Sequence, residues 1–299
     1  MSDGERQIHS ITLRAFLAAR NDPTTAWHQD TFWRATWTPE GPGTVALRVS
    51  GDAIGVETHG PGAGWLADRA LDLTGASDAI PTLSLHHDAV ERAARRWGSV
   101  RLGRSNAPYH ELLPAVLGQR VTGSEAARQW VRLTHAFGPL APGPVPGLRL
   151  PPDPERLRRV AYHDLHHFGI ERRRADTLRQ VAAHAQWLIH DLAPDSTATS
   201  PAALTATLVR IPGVGPWTAA VAGGLAFGDP DALQVGDFHV KNTVAWALRG
   251  QVRGTDEEMV RDLEPYAGQR HRVVRWLELD GWRAPRRGPG RRNLVVARL

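Results

Sequence analysis

Two hydrophobic periods divide the chain, a period of two near the N-terminus and a helical period over most of the remainder. Strand-forming residues fill the segment 31–37, and apolar and polar residues alternate through 44–50 and 53–58. Turn-forming residues separate these segments at 39–43 and at 51–52. Alternation with a period of two is typical of strands with one buried face, so the pattern predicts an antiparallel meander of at least three strands.

Apolar residues recur at helical spacing after this meander. Helices are predicted over 63–73, 83–97, 109–117, 124–137, 154–162, 173–192, 201–209, 216–226, 238–248, 255–263 and 269–279. The Pro/Gly-rich segment 140–152 predicts a loop, and residues 8–20 fit either a short helix or a strand.

The predicted fold class is therefore α+β, with a small antiparallel sheet in front of a mainly helical region. We expect an N-terminal α+β domain over 1–104, a helical region over 105–285 and a basic C-terminal tail over 286–299. The tail is rich in arginine, proline and glycine, a composition that favours neither helix nor strand.

Composition narrows the classes of function. The net charge is +5 and the pI is near 10.5, which favours a polyanionic partner. The chain contains no cysteine, which excludes disulfides, thiolate nucleophiles and cysteine-ligated zinc or iron–sulfur clusters. The apolar runs are too short to cross a bilayer and the N-terminus has no signal-peptide pattern, so we expect a cytoplasmic protein.

The candidate chemistry lies in one segment, 208–242, where a tight turn precedes a single acidic residue. Gly213 and Gly215 allow backbone conformations that other residues resist, and Pro216 suits the first turn of a helix. Such a turn presents backbone N–H groups at a helix N-terminus, where an anion binds readily. Asp237 follows Trp217 by twenty residues and stands where the next helix begins. A phosphate-binding turn and a positioned carboxylate indicate an enzyme that acts on nucleic acid.

Four motifs carry a resemblance to a known family. The run 211–219 (IPGVGPWTA) resembles the hairpin of the helix-hairpin-helix base-excision DNA glycosylase superfamily, and 235–238 (VGDF) resembles its segment with the catalytic aspartate. The runs 115–121 (AVLGQRV) and 168–175 (FGIERRRA) resemble a segment near the lesion and the segment before the long central helix. The likeness covers most of 25–285 and is greatest to the DNA-3-methyladenine glycosylase II branch. It implies that the helical region forms a glycosylase core of two lobes.

The resemblance implies an enzyme that flips an alkylated base out of double-stranded DNA and hydrolyses its N-glycosidic bond, without an organic cofactor and as a monomer. Asp237 would be the catalytic residue, because a fixed carboxylate stabilises the positive charge that develops on the sugar and orients or deprotonates water. Asp is also a favoured N-cap, so helix capping alone is the alternative role. Val240 stands where a capping box would need Glu or Gln.

The resemblance also implies the residues of the base pocket. Glycosylase/lyase members of the superfamily carry a Schiff-base lysine at the position of Trp217, and an indole is no nucleophile, so this chain would be monofunctional. The face of Trp217 would bind a cationic base, unless the residue only fills the core beside the hairpin. Trp276 on the last predicted helix would supply the opposing wall. Val221 stands where the family has a second aromatic residue, which leaves the range of lesions open.

DNA contacts and a cation are further implications of the likeness. Residues expected to contact DNA are Gly213, Gly215, Thr218 and Arg120. Arg120 stands where the family often has an apolar wedge, and a wedge, a phosphate contact and a plain surface arginine all fit it. The residues whose backbone carbonyls would hold a monovalent cation, Na⁺ or K⁺, are Val209, Ile211 and Val214.

Three alternatives stay open at this point. The first is a glycosylase/AP-lyase that uses Lys241, the only lysine of the chain, one helical turn beyond Asp237. The second is a helix-hairpin-helix protein that binds damaged DNA without catalysis. The third concerns a cluster of histidines that would bind a metal if they share one helix face: His163, His166 and His167.

Overall fold

The computed structural model describes residues 3–50, 53–192 and 199–285, and only the backbone of residues 3–7. The predicted turn at 51–52 and the predicted basic tail 286–299 lie outside the described residues. The strands are β1 (Thr25–His28), β2 (Thr31–Thr38), β3 (Gly41–Ser50) and β4 (Ala53–His59). The α-helices are α1 (Asp3–Arg14), α2 (Ala63–Arg69), α3 (Asp88–Trp97), α4 (Pro108–Leu117), α5 (Gly123–Phe137), α6 (Pro154–Arg159), α7 (Tyr162–His166), α8 (Arg172–Ala183), α9 (Pro201–Thr207), α10 (Pro216–Ala226), α11 (Phe238–Arg249), α12 (Asp256–Asp262) and α13 (Arg270–Leu279). The α+β fold class is confirmed.

The sheet is an antiparallel meander in the order β1-β2-β3-β4, as the alternating pattern predicts. The structure adds strand β1 and extends β3, which was predicted to begin at residue 44, back to Gly41. Gly41 and Pro42 pair with Thr38 and Trp37 of β2. Glycine and proline are rare within strands, so this end of β3 gave no strand signal.

Both faces of the sheet are covered. On one face, Phe32 and Leu47 pack with α1 and α2 in a core that includes Trp65. On the other face, Trp33 and Ala46 pack with residues of the predicted loop 140–152. Burial on both faces explains why β2 reads as a run of strand formers rather than a strict alternation.

Two further cores hold the helices. The first gathers apolar residues of α4, α5, α8 and α10. The second is formed by α3, α11, α12 and α13, and α3 contributes the buried Ala89, Val90 and Ala93. Although α3 belongs to the first hundred residues, its apolar face therefore packs against the C-terminal helices.

Several helices are shorter than the periodicity predicts. The segment 83–97 is helical only from Asp88, because Tyr266 bonds to the backbone N–H of His86 and to the ring of His87 and holds both residues outside the helix. The segment 173–192 divides into α8 and a π-helical turn over Trp187–Asp191. The segment 154–162 divides into α6 and α7. None of the helices in the described ranges has both the length and the apolar composition that crossing a bilayer needs.

A buried polar network joins the sheet to α4. The guanidinium of Arg34 on β2 donates to the carbonyl of Phe16 at 2.9 Å and to the carboxylate of Glu111 at 2.5 Å. The ring of His110 forms a hydrogen bond with Thr24, whose hydroxyl oxygen lies 3.2 Å from Nε2. Burial raises the pKa of Glu111, and burial together with Arg34 lowers the pKa of His110. These groups fix the orientation of α4, whose C-terminus leads to the candidate site.

Candidate active site

The hairpin before α10 is packed at one glycine and open at the other. Gly213 has φ +89°, and a β-carbon there would lie 2.1 Å from Oγ1 of Thr177 on α8. Only glycine fits both the backbone conformation and the space. Gly215 is the N-cap of α10 with φ −92°, and a β-carbon there would meet nothing within 4 Å. The hairpin therefore rests on α8 at Gly213 and leaves the N-terminus of α10 accessible at Gly215.

Gln119 connects the hairpin to α4. Its side-chain amide donates to the carbonyl of Gly213 at 3.1 Å and to the hydroxyl of Thr218 at 2.9 Å. Thr218 is buried, so its side chain does not face solvent, and the contact of this residue with DNA stays a prediction. Its hydroxyl instead fixes α10 to the segment that follows α4. Gln119 lies in the run 115–121 that carries part of the family resemblance, yet its partners were not predictable from that run.

The segment that follows α4 passes close to Trp217. A β-carbon at Gly118 would lie 3.1 Å from Cη2 of the Trp217 ring, so glycine allows this approach. The buried Arg174 of α8 supports the segment by donating to the carbonyl of Leu117 at 2.9 Å. Arg120 is exposed and has φ +58°, in the left-handed region that costs a non-glycine residue about 1–2 kcal/mol. The fold holds this backbone in place, and the role of Arg120 toward DNA stays a prediction.

Asp237 caps α11 and also bonds to α10. Its Oδ1 accepts from the backbone N–H groups of His239 at 2.7 Å and Val240 at 3.0 Å, which confirms the capping role. Its Oδ2 accepts from Nε1 of Trp217 at 3.0 Å. Both residues are half-buried, so each retains a surface toward solvent. Three N–H donors thus fix the orientation of one accessible carboxylate.

The loop before Asp237 is tied to α12. Asp256 accepts from the backbone N–H of Gly236 and from Nζ of Lys241, each at 2.8 Å. Partial burial by itself would raise the pKa of Asp256, but the hydrogen bonds from Lys241 and Gly236 outweigh it and lower the pKa. Lys241 is therefore held as a charged partner of Asp256. A Schiff-base nucleophile needs the neutral amine instead.

Exposed apolar side chains flank the acid, a feature that the sequence reasoning missed. Phe238 is 58% exposed and Val235 is 39% exposed, on either side of Asp237. The guanidinium of Arg253 lies over the Phe238 ring, 5.1 Å from its centroid. Large exposed apolar groups beside a functional site often mark a contact surface. The position of Phe238 directly after the acid was the signal available in the sequence.

Trp276 does not line the cleft beside Asp237. Its side chain is 3% exposed and belongs to the core shared by α3, α11 and α13. Burial in that core corrects the prediction that Trp276 forms the opposing wall of a base pocket. Trp217 is thus the tryptophan of the predicted pair that contacts Asp237 in the described part of the chain.

The structure bears differently on the two predicted ion sites, the histidine cluster and the hairpin carbonyls. Among the described residues, no group of three or more His, Asp or Glu side chains is arranged to hold a metal ion, and His163, His166 and His167 form no such group. The carbonyl of Ile211 accepts from the N–H of Val214 at 3.0 Å, which leaves its second lone pair for another partner. The backbone of this turn is thus compatible with the predicted cation, which stays a prediction.

Comparison with known proteins gives one family and several related folds. Residues 113–267, more than half of the chain, match the family model described as HhH-GPD superfamily base excision DNA repair protein. No curated protein matches the chain by sequence.

Three solved structures illustrate the shared fold. A 3-methyladenine DNA glycosylase from Archaeoglobus fulgidus is 17% identical, with 91% of this chain and 94% of that chain covered and a TM-score of 0.68. A 3-methyladenine DNA glycosylase from Schizosaccharomyces pombe, solved with abasic DNA, is 22% identical, with 65% and 92% covered and a TM-score of 0.52. An 8-oxoguanine glycosylase/lyase from Clostridium acetobutylicum, solved with double-stranded DNA, is 12% identical, with 87% and 89% covered and a TM-score of 0.58.

Proposed function

The chain belongs to the HhH-GPD superfamily of base excision DNA repair proteins, and we propose that it is a monofunctional DNA glycosylase of the 3-methyladenine type. It flips an alkylated base out of double-stranded DNA and hydrolyses the N-glycosidic bond. The substrate class is that of the two 3-methyladenine glycosylases with which it shares a fold. The proposal includes the monomeric state and the cytoplasmic location expected from the sequence.

The observation that carries this proposal is the placement of Asp237. Its carboxylate is accessible and is held by three N–H donors. One of these donors is Trp217 in the first turn of α10, the helix that begins at the accessible hairpin residue Gly215. A carboxylate needed only as a cap would not require the bond from the Trp217 indole. The arrangement is what a cationic transition state needs, namely a negative charge already oriented before the substrate binds.

The chemistry needs few groups. As the bond from C1′ of the sugar to the base breaks, its electron pair leaves with the base and positive charge develops on the sugar. Asp237 stabilises that charge and orients the water whose oxygen forms the new bond to C1′, and the proton of the water passes to Asp237 and then to solvent. A base that carries a positive charge leaves as a neutral molecule, so no separate acid is needed.

Trp217 serves this reaction in two ways. Its N–H holds Asp237, and its half-buried ring retains a surface toward solvent. A cation over an indole face gains about 0.5–2 kcal/mol, which favours alkylated purines over undamaged ones. The carbonyls of Val209, Ile211 and Val214 would hold a monovalent cation that binds a DNA phosphate.

The glycosylase/lyase alternative is weakened by the ion pair between Lys241 and Asp256. The amine is engaged at 2.8 Å on the side of α12, and its protonated form cannot attack the sugar. The damage-binding alternative gives no reason for a carboxylate held by Trp217.

The proposal is tested by base release from a panel of double-stranded oligonucleotides. The panel contains 7-methylguanine, 3-methyladenine, hypoxanthine, 8-oxoguanine or no lesion, and the free base is measured after incubation with the purified protein. We expect release of the methylated purines without cleavage of the DNA strand. Release of no base from any duplex that the protein binds would contradict the proposal and favour a damage-binding protein.

A further inference from the structure

A second carboxylate lies beside Asp237. Glu278 is half-buried on α13, and α13 packs against α11, the helix that Asp237 caps. Glu278 is close enough to Asp237 and to His239 for their charges to affect its ionisation. Within the described part of the chain, this carboxylate makes no hydrogen bond or ion pair. The folded chain thus leaves the acceptor capacity of Glu278 available at the site.

The side of α13 that carries Glu278 faces α10. His271, Arg275 and Glu278 follow one another at spacings of four and three residues, so they share one side of the helix. A β-carbon at Gly224 of α10 would lie 3.5 Å from Nε2 of His271. His271, Arg275 and Gly224 also line one cavity of about 40 Å³.

The shared side of α13 leads from His271 to Glu278. The far end of the shared side, at His271, meets the C-terminal part of α10. Glu278 stands seven residues further along α13, toward Asp237, which is bonded to Trp217 at the beginning of α10. Glu278 therefore lies toward the end of these helices that carries Trp217 and Asp237, and His271 lies toward the other end.

From this placement we propose that Glu278 is a specificity-determining residue, whose carboxylate favours flipped bases that carry a positive charge. The inference rests on the proposed glycosylase function and adds a residue to its site. Glu278 acts on the choice of base, whereas Asp237 acts on the breaking bond.

The electrostatics of the two carboxylates explain the preference. Burial raises the pKa of Glu278, Arg275 lowers it, and Asp237 raises it again. Arg283 and His239 also lower it, and all four neighbours bear on the same carboxylate. Two like charges close together repel, and a cation between them removes the repulsion and strengthens both attractions. A neutral base offers no such gain, so the pair of carboxylates selects for charge.

The test measures binding rather than turnover, so that it does not depend on which bases are excised. Duplexes carry 2′-fluoroarabino nucleotides, which resist hydrolysis, with cationic 7-methylguanine or neutral guanine at one position. Equilibrium dissociation constants are measured for the wild type, Glu278→Gln and Glu278→Asp. Glu57→Gln on β4 is the control, because it removes the same charge from an exposed side chain of the sheet.

We expect the wild type and Glu57→Gln to bind the cationic duplex more tightly than the neutral one. In Glu278→Gln the dissociation constant for the cationic duplex should rise by about tenfold, and that for the neutral duplex should not change. Glu278→Asp should retain part of the preference, since the charge persists. An unchanged preference in a folded Glu278→Gln variant would overturn the role of Glu278. Equal weakening toward both duplexes would overturn it as well, because a structural defect does not depend on the charge of the base. A wild type that binds the 7-methylguanine duplex no better than the guanine duplex would instead contradict the proposed function.

Discussion

Nε1 of Trp217 lies 3.0 Å from Oδ2 of Asp237 and donates a hydrogen bond to it, across twenty residues of sequence and between two helices. The same carboxylate caps α11 through its other oxygen. One acid therefore joins the N-termini of α10 and α11. The hairpin, Trp217 and the candidate catalytic group are consequently linked by direct contacts.

Substitution of Trp217 by phenylalanine should separate its two roles. The ring remains, but the N–H that orients Asp237 is lost. A hydrogen bond to a charged group contributes about 1.5–3 kcal/mol, so we expect single-turnover base release to fall by about 10- to 100-fold. Affinity for lesion DNA should change much less. Trp217→Leu, which removes the ring as well, should weaken both quantities. An unchanged rate in Trp217→Phe would show that the indole N–H has no part in positioning the acid.

The two hairpin glycines should respond differently to substitution. Gly215→Val meets open space at an ordinary φ, so we expect a stable fold and weaker binding to damaged and undamaged DNA alike. Gly213→Ala would place its β-carbon against Thr177 at φ +89°, so we expect a lower melting temperature.

The control for Gly215→Val is Gly55→Val on strand β4. Its β-carbon would meet only Arg48, at 3.8 Å, and it lies on the sheet. Filter-binding titrations at one fixed salt concentration compare the variants. If Gly215→Val and Gly55→Val bind undamaged DNA equally well, the hairpin is not the anchor.

Borohydride trapping should find no covalent intermediate. The amine of Lys241 donates a hydrogen bond to the carboxylate of Asp256. In the proposed reaction, water rather than an amine attacks the sugar. We expect no protein–DNA adduct on lesion duplexes under conditions in which a known glycosylase/lyase forms one, and we expect Lys241→Gln to release base within a few-fold of the wild-type rate. An adduct that disappears in Lys241→Gln would establish the lyase alternative.

His271 should make the protein less stable in mild acid. Burial, together with Arg275 and Arg272, lowers its pKa from 6.5 to about 4. Below pH 6.5 the unfolded chain binds a proton at this residue that the native state does not bind, so stability falls as the pH falls toward 4. Between pH 7.5 and 5.0 this effect reaches at most about 2 kcal/mol.

Urea unfolding of the wild type and of His271→Gln at both pH values isolates this effect. Other groups contribute equally to both proteins, including His110, whose pKa is also lowered. The loss of unfolding free energy from pH 7.5 to 5.0 should be smaller in the variant. An identical loss in both proteins would show that His271 is protonated as readily in the native state as in the unfolded chain.

The sequence predicted the helices best where local signals were strong. The predicted helix 216–226 coincides with α10, because Pro216 fixes its start and the preceding glycines interrupt any earlier helix. The start of α3 was wrong, because contacts from Tyr266 hold residues 86 and 87 in place and no local pattern reports them. The π-helical turn after α8 has no signal that we can identify in the sequence.

The residues of the candidate site also fall into those that local sequence predicts and those that depend on distant contacts. Asp237 and its helix were predictable, because the loop and cap residues are adjacent in sequence. Gln119 and Asp256 act through partners more than ten residues away, so their roles required the fold. Trp276 fits a pocket wall and a core position equally well in sequence, and only packing decides between them.

The most direct test of the account is the rate of single-turnover release of 7-methylguanine by Asp237→Asn. Asparagine keeps the oxygen that caps α11 but loses the acceptor for the Trp217 N–H, at a cost of about 1–3 kcal/mol in stability. With melting temperature and lesion-DNA affinity measured on the same preparation, we predict a folded variant that binds lesion DNA at least as well as the wild type. We predict that its rate is lower by about 100-fold or more. Release at the wild-type rate by the folded variant would contradict the account and leave Asp237 with a capping role alone.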